Sequence, residues 1–248
     1  MHAHRLNALL CADVKLQFRH GFYAAYAVLT ILYVLGLNAL SPTASEGVLR
    51  AVAVVLIFTD PATLGAFFVG GLVLLEKQHG SLEAVMVTPV RRREYLASKA
   101  ASLTVLALAT TAAMAWATGL PVRPGPLLVG CGLTSILFVL LGLAVVAGVH
   151  TVQGYLLAMV PVVTLPMIPA ARFLGLETPL LWLIPTQGSL RLMEAGLGGA
   201  PLNAAELLYA ALALPGAAAA AGVWAAARFA RVFGHAFGPG MPRETRGR

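Results

Sequence analysis

One stretch of this sequence concentrates charge in a chain that otherwise carries little of it. Residues 76–99 read EKQHGSLEAVMVTPVRRREYLASK and hold eight of the 27 charged side chains, although only 11% of the 248 residues are charged. The stretch lies between two long apolar runs. Its residue types suit the binding of a protein partner or the marking of one membrane side.

The first half of the stretch has the pattern of a short amphipathic helix. Gly80 precedes a serine that can start a helix, and Glu83 suits the first turn. Leu82, Val85 and Met86 have the i, i+3, i+4 spacing that places side chains on one helical face. The pattern predicts a two-turn helix that lies on the membrane surface and presents side chains to a cytosolic partner.

The second half predicts the start of another helix. Thr88 is an expected N-cap and Pro89 suits the first helical position, so this helix would run through Lys99 into the next apolar run. The three arginines at 91–93 leave two interpretations open. They form either a basic loop that fixes membrane topology or electrostatic support for a docked partner.

A single acid interrupts another apolar run. Residues 51–75 contain Thr59, Asp60 and Pro61, and an ionised Asp near mid-bilayer is disfavoured by about 3 kcal/mol. Pro61 removes a backbone donor and Asp can cap a helix, so Asp60 either caps the second half of a broken helix or, with Thr59, belongs to a polar translocation path. Both interpretations stay open.

Other chemistry is excluded by the motifs that the sequence lacks. The phosphate-binding pattern Gly-x-x-x-x-Gly-Lys-Ser/Thr does not occur, and none of the three lysines follows a glycine. Zinc-protease and serine-hydrolase motifs are missing as well, and Cys11 and Cys131 have no metal-like spacing. We therefore expect neither an ATPase nor an enzyme, with no bound cofactor or metal, and two cysteines that act as small apolar fillers.

Composition places these elements in a membrane. The chain is 59% hydrophobic with a mean hydropathy of +0.83, and several apolar runs exceed the roughly 18 residues that span a bilayer. We predict an all-α membrane protein with a single transmembrane domain, six transmembrane helices, an N-terminal interfacial helix and the short cytoplasmic helix. The predicted segments are 1–21 (interfacial helix), 22–75 (spans one and two), 76–99 (cytoplasmic stretch), 100–171 (spans three to five), 172–203 (excursion at the far interface), 204–227 (span six) and 228–248 (tail).

Three predicted elements carry further detail. Residues 5–19 favour a surface helix with the basic side chains opposite the leucines, although Asp13 and Gln17 interrupt the apolar face; a plain solvated lead-in is the alternative. The fifth span contains three prolines and should be kinked or partly unwound. The 172–203 excursion should consist of short amphipathic pieces that lie at the far interface or dip into it.

The distribution of Lys and Arg predicts the orientation. Thirteen of the 17 fall in the N-terminal segment, the 76–99 stretch and the tail. The remaining four are Arg50, Arg123, Arg172 and Arg191. By the positive-inside rule, both termini and the stretch are cytoplasmic. The net charge is +7, and its basic residues cluster at the ends of apolar runs. This distribution favours contact with a lipid bilayer over binding to nucleic acid.

The stretch resembles, in residue order and spacing, the segment after the second helix in permease subunits of type-2 ATP-binding-cassette (ABC) exporters. There an acidic residue, a Gly, a Leu-Glu pair and a Thr-Pro precede a Lys, as in residues 76–99. The whole chain is most similar to short bacterial drug-export permeases, including those for fluoroquinolones. One departure is that residues 91–93 are more basic than the family pattern.

The resemblance implies that the stretch docks on an ATPase. The expected docking residues are Glu76, Gly80, Leu82, Glu83, Val85, Met86, Thr88, Pro89, Arg91, Arg92 and Arg93. It also implies two copies of a separate ATPase that holds ATP and Mg²⁺, a second permease chain, identical or related, and a place in the bacterial cytoplasmic membrane. The cargo would be an amphipathic drug, lipid or peptide.

Two other functions are weighed against the ABC exporter. An ion- or proton-coupled secondary carrier would use Asp60, but it predicts an internal repeat and further buried acids that the sequence does not display. An enzyme acting on lipid within the bilayer would need a His/Asp or Ser/Lys cluster in the spans. The sequence thus favours the exporter and keeps the carrier as the alternative.

Overall fold

The computed structural model describes residues 3–60, 65–86, 88, 90–176 and 178–233, with the backbone alone at residues 3–6, 83, 84 and 86. Every regular element in these ranges is helical, which confirms the all-α class. The α-helices are α1 (Ala3–Arg19), α2 (Phe22–Leu40), α3 (Glu46–Asp60), α4 (Ala66–Gln78), α5 (Ser81–Met86), α6 (Arg92–Thr118), α7 (Pro124–Ala147), α8 (Val152–Met167), α9 (Thr186–Gly196) and α10 (Ala204–Phe233). Two 3-10 helices, Ile168–Leu174 and Pro179–Leu183, connect α8 to α9.

Five helical segments within the described ranges are long and apolar enough to cross a membrane. They are α2, α6, α7, α10 and the continuous segment Val152–Leu174, which joins α8 to the first 3-10 helix. The predicted first span coincides with α2. The predicted second span, 51–75, is divided between α3 and α4, which have 15 and 13 residues. Residues 61–64 between them, and with them the predicted kink at Pro61, lie outside the described residues.

Basic residues that the structure describes lie at opposite ends of the helix bundle. At one end, which we call the basic end, the Lys77 ammonium donates to the carbonyl of Val146 at the end of α7 and lies 5.5 Å from the Phe233 ring at the end of α10. At the other end, the far end, Arg50 Nε donates to the carbonyl of Leu197. Lys77 and Arg50, which the sequence assigns to different sides, are thus at different ends of the bundle.

Helix α7 lies at the centre of the bundle and contacts α4, α6, α9 and α10. Close approach is made by small residues. The Tyr155 hydroxyl of α8 donates to the carbonyl of Ala66 at 2.6 Å, and a Cβ on Gly70 would lie 2.0 Å from the Tyr155 ring. Gly142 of α7 is equally enclosed, since a Cβ there would lie 2.7 Å from Val69. Glycine is thus required where α4, α7 and α8 meet.

The N-terminal helix contacts the bundle through the two residues that interrupt its apolar face. Asp13 and Gln17, which interrupt the apolar face, are the buried side chains of α1, whereas Val14 is 44% exposed. The reason is that α6 supplies polar partners: Ser98 Oγ donates to Asp13 Oδ2 at 2.5 Å, and Gln17 Nε2 donates to Ser102 Oγ at 3.0 Å. The face of α1 that meets the bundle is therefore partly polar, and the two residues that interrupt its apolar face in the sequence are the ones that bond α6.

The proline-rich region after α8 behaves as the sequence predicts. Beyond Pro166 the α-helix gives way at Ile168 to a 3-10 helix, as expected where prolines remove backbone donors. The excursion that follows contains short helical pieces, also as predicted. Of these, α9 dips into the bundle, since nine of its eleven residues are buried and it packs against α3, α7 and α10.

Candidate docking site

The predicted short helix exists as α5, directly after the end of α4. Gly80 adopts φ +67°, a left-handed conformation that glycine adopts without penalty, and it reverses the chain between the two helices. Ser81 Oγ donates to the carbonyl of Glu76 at 3.2 Å. Leu82 is 1% exposed and belongs to the main hydrophobic core, and Val85 packs against the same core. Leu82 and Val85, two residues of the predicted apolar face, therefore both contact the core.

The start of α6 differs from the prediction that Thr88 caps it. Thr88 bonds backward, with its Oγ1 donating to the carbonyl of Val85 at 2.5 Å. The helix begins at Arg92, and the Glu94 carboxylate accepts from the backbone N–H of Arg91 at 3.0 Å. A glutamate at the third helical position can bond the N-cap amide in this way, so the capping role falls to Glu94 and the predicted role of Thr88 is wrong.

The predicted docking residues differ in how far they are exposed to solvent. Gly80, Thr88, Arg91 and Arg93 are exposed at the basic end, and Arg92 is half-buried. The side chains of Glu83 and Met86, and Pro89 as a whole, lie outside the described residues. Glu76 and Leu82 are buried and face the interior.

Glu76 is part of a buried cluster of charged and polar groups, here called the ion-pair cluster (Asp13, Glu76, Tyr95, Ser98 and Lys99). Lys99 Nζ donates to Glu76 Oε1 and, at 2.6 Å, to Asp13 Oδ1. The Tyr95 hydroxyl donates to Glu76 Oε2 at 2.6 Å. These bonds join α1, α4 and α6.

The cluster is removed from solvent. The Lys99 side chain is 0% exposed, and those of Asp13 and Glu76 are 9% exposed. A buried ion pair gains little net stability over an apolar pair, but loss of one partner leaves an uncompensated charge that costs about 3–5 kcal/mol. The three charged groups therefore depend on one another, and they hold the three helices in one arrangement.

Lys77, one residue after Glu76, fixes the end of α4 differently. Its ammonium donates to the carbonyls of Val146, Ala147 and Val149 at 2.7, 3.1 and 2.8 Å. Cations at a helix C-terminus are stabilised by its free carbonyls, and Lys77 thereby attaches α4 to α7.

Asp60 lies at the end of α3, deep in the bundle, with 1% of its surface exposed. Its Oδ2 accepts a hydrogen bond from Thr110 Oγ1 of α6 at 2.8 Å, whereas Oδ1 has no hydrogen-bond partner among the described residues. Since residues 61–64 lie outside the described ranges, the alternative of a helix cap stays open.

The chain is similar to known proteins over most of its length. The fluoroquinolones export permease protein family matches residues 4–235. The chain belongs to this family. Two fluoroquinolones export permease proteins of Mycobacterium tuberculosis, from strains CDC 1551 and H37Rv, are each 33% identical to it over 209 residues, which cover 83% of this chain and 86% of theirs. The matched range contains the docking stretch, the ion-pair cluster and Asp60.

The ion-pair cluster of this permease is the feature that sequence reasoning missed. The sequence contained a signal for these contacts: Asp13 and Gln17 interrupt the apolar face of α1, and Ser98 and Ser102 flank Lys99 on α6. Each looked local, and no sequence pattern indicates that residues 85 positions apart are partners. Among the described residues there is no group of three or more His, Cys, Asp or Glu side chains that could hold a metal ion.

Proposed function

We propose that this permease is the membrane subunit of an ATP-driven ABC exporter and that a separate ATPase docks on α5 and on the exposed start of α6. The observation that carries the proposal is the position of α5. It lies at the basic end, is held from inside by Leu82, and is flanked on the outside by Gly80, Thr88, Arg91 and Arg93. A short helix that is packed on one face and exposed at its ends can transmit the movement of a bound partner to the bundle.

The ion-pair cluster supports this role from beneath. Glu76 stands in the last turn of α4, five residues before α5, and bonds Lys99 of α6, which bonds Asp13 of α1. A push on α5 would thus move α1, α4 and α6 as one unit. In this proposal Glu76 acts as an internal anchor of the docking helix, while the arginines and Thr88 meet the ATPase.

The order of the helix ends supports six crossings. Helix α3 begins at the far end, where Arg50 bonds Leu197, and α4 ends at the basic end, where Lys77 bonds Val146. We propose that α3 and α4 together make one crossing, so that α2, α3–α4, α6, α7, α8 and α10 form the six spans. The basic end would face the cytoplasm of a bacterial cell, with both termini on that side.

A second permease chain, identical or related, would complete the transport path. Helix α2 leaves most of its surface uncovered, with Val28, Ile31, Leu32 and Leu35 each 56–60% exposed at helical spacing. Such a stripe can face lipid or a partner helix. Two permeases with two ATPases, which hold ATP and Mg²⁺, form the proposed assembly.

The proposed cargo is an amphipathic compound. The relatives in Mycobacterium tuberculosis are named for the export of fluoroquinolones, and a drug of that kind is the first candidate for this permease. Lipids and peptides remain within the proposed class. The chemical step, ATP hydrolysis, belongs to the partner chain.

Co-purification from the native host tests the proposal. A soluble ATPase should be retained by the wild-type permease and lost from Arg91→Glu/Arg93→Glu and from Glu83→Arg. Leu82→Asp should also lose it, by releasing the inner face of α5. Arg123→Glu, an exposed arginine at the far end, is the matched control and should retain the ATPase. If the ATPase still co-purifies with all three variants, Arg91→Glu/Arg93→Glu, Glu83→Arg and Leu82→Asp, the docking proposal is wrong.

The secondary carrier remains the second candidate because of one observation. Asp60 is a fully buried acid with one oxygen lacking a partner among the described residues, which is the environment of an acid that binds a transported ion or proton. Transport without ATP in a proton gradient would favour this function.

A further inference from the structure

A pocket of about 450 Å³ opens at the far end, where the two 3-10 helices meet α9 and α10. Its lining residues are Arg172, Thr178, Pro179, Leu181, Trp182, Gln187, Arg191 and Glu206. The volume lies in the range of small-molecule sites, roughly 300–1,000 Å³. None of these residues belongs to the docking stretch or the ion-pair cluster.

Gln187 is the first sign that the pocket receives a ligand. The residue stands in the first turn of α9 and is only 4% exposed, and its side-chain oxygen Oε1 has no hydrogen-bond partner among the described residues. A buried acceptor without a donor costs about 1–3 kcal/mol. A ligand that brings an N–H or O–H group to Gln187 would remove this cost.

Arg172 is the second sign. Its Nη1 forms an ion pair with Glu194 Oε2 at 3.2 Å but makes no hydrogen bond within the described part of the chain. Arg191 differs, because its Nε donates to Glu206 and its Nη1 donates to Glu194, both at 2.8 Å. Of the two arginines in the lining, Arg172 is therefore the one with a buried donor left to offer.

The charge around the pocket limits the class of ligand. Arg172 and Arg191 are balanced by Glu194 and Glu206 among the described residues. A ligand with a full net charge would upset this balance in a partly desolvated site, whereas a zwitterion preserves it. Arg172 offers a place for an anionic group, and Gln187 offers a place for a donor.

One wall of the pocket is aromatic. The half-buried Trp182 packs edge-on against Tyr209, with the ring centroids 5.1 Å apart, and the Tyr209 hydroxyl donates to the carbonyl of Ile184 at 2.9 Å. The indole is thereby held in place beside Pro179 and Leu181. Fixed aromatic surfaces of this kind bind flat apolar groups.

We propose that this pocket binds a drug-sized zwitterionic amphipath, with its carboxylate on Arg172, an N–H donor on Gln187 Oε1 and its ring system against Trp182. The pocket lies at the end of the bundle opposite the docking stretch. It is the site that the exported compound occupies before release, and this last step rests on the proposed function.

Binding to the permease alone tests the site, because no ATPase takes part. Tritiated norfloxacin, a zwitterionic fluoroquinolone, is titrated onto the chain in nanodiscs of phosphatidylcholine. Gln187→Leu and Arg172→Met should each raise the Kd about tenfold, the equivalent of one lost hydrogen bond to a charged or desolvated group. Arg172→Lys should keep most of the affinity because it keeps the charge, and Arg123→Gln, exposed at the same end, is the control.

A ligand series keeps the proposal falsifiable if a variant fails to fold. Norfloxacin ethyl ester lacks the carboxylate and should compete at least about tenfold more weakly for the wild-type chain. Equal affinity of the ester and the acid, or unchanged Kd in both Gln187→Leu and Arg172→Met, overturns the proposal. Native mass spectrometry tests whether a lipid occupies the pocket instead. A phospholipid that is bound to the wild-type chain and missing from both Gln187→Leu and Arg172→Met, together with no saturable norfloxacin binding, assigns the pocket to a lipid headgroup. Failure here would leave ATPase co-purification unaffected, so the two proposals fail separately.

Discussion

The ammonium of Lys99 on α6 lies 2.6 Å from the carboxylate of Asp13 on α1, and the two residues are 86 positions apart in the sequence. The same ammonium also bonds Glu76. Both α1 and the end of α4 are therefore bonded to Lys99, and Ser98 and Ser102 of α6 add further bonds to α1.

Removal of the Lys99 charge should destabilise the permease strongly. Lys99→Met keeps the apolar part of the side chain but leaves Asp13 and Glu76 buried without a counter-charge, which should cost about 3–5 kcal/mol. The midpoint of thermal inactivation in detergent, followed by size-exclusion fluorescence, should fall clearly. Lys15→Met, on the exposed face of α1, should leave the midpoint unchanged.

A combined variant separates charge from packing in this cluster. Lys99→Met with Asp13→Asn and Glu76→Gln removes all three charges, and it should recover part of the stability lost by Lys99→Met alone. A triple variant no more stable than Lys99→Met would contradict the ion-pair account and would point to the packing of the lysine stem.

The turn before α5 should depend on a left-handed residue. Gly80 has φ +67° and its Cβ position has nothing within 4 Å, so a substitution is strained by the backbone alone. Gly80→Val should cost about 1–2 kcal/mol and displace α5, with less ATPase co-purified. Gly80→Asn is the matched control, because Asn tolerates this conformation, and it should retain the partner. Equal loss in both variants would show that the side chain, not the backbone, matters.

Two adjacent glycines of α4 should differ in tolerance. A Cβ on Gly70 would lie 2.0 Å from the Tyr155 ring, while a Cβ on Gly71 would lie 3.7 Å from Phe22, an ordinary contact. Gly70→Ala should therefore separate α4 from α8 and cost about 1–3 kcal/mol through overpacking. Gly71→Ala should be neutral or slightly stabilising, since Ala favours helix. Thermal midpoints of the two purified variants make the comparison, and similar midpoints would refute the close approach at Gly70.

Local patterns predicted the elements of this fold well. The bounds of α2, the existence of α5 and the 3-10 segment after Pro166 follow from apolar length, spacing at i, i+3, i+4 and proline chemistry. The polar contacts between α1 and α6 and the burial of Glu76 could not be predicted, because their common partner Lys99 looked like the end of a basic stretch. The partner of a buried charge is a tertiary property, and a hydrophobic pattern on one helix carries no information about it.

The divided second span had a weaker signal still. Asp60 and Pro61 indicated a break, but they left open which groups the acid meets, and Thr110 lies 50 positions away on α6. Threonine is common in apolar helices, so its role as a donor to Asp60 has no signature in the sequence. The far-end pocket was missed for the same reason, since its polar side chains come from four separate elements.

Asp60 decides between the two candidate functions. Asp60→Asn keeps an oxygen that can accept from Thr110 but removes the ability to carry a negative charge. If the permease is driven by an ATPase, drug export from cells and the thermal midpoint should stay close to wild type in this variant. Asp60→Leu should instead lower the midpoint, because Thr110 Oγ1 would lose its acceptor on α3 in a buried site. Drug export measured in proteoliposomes without ATP, driven by a proton gradient and abolished by Asp60→Asn, would establish the carrier and overturn the exporter.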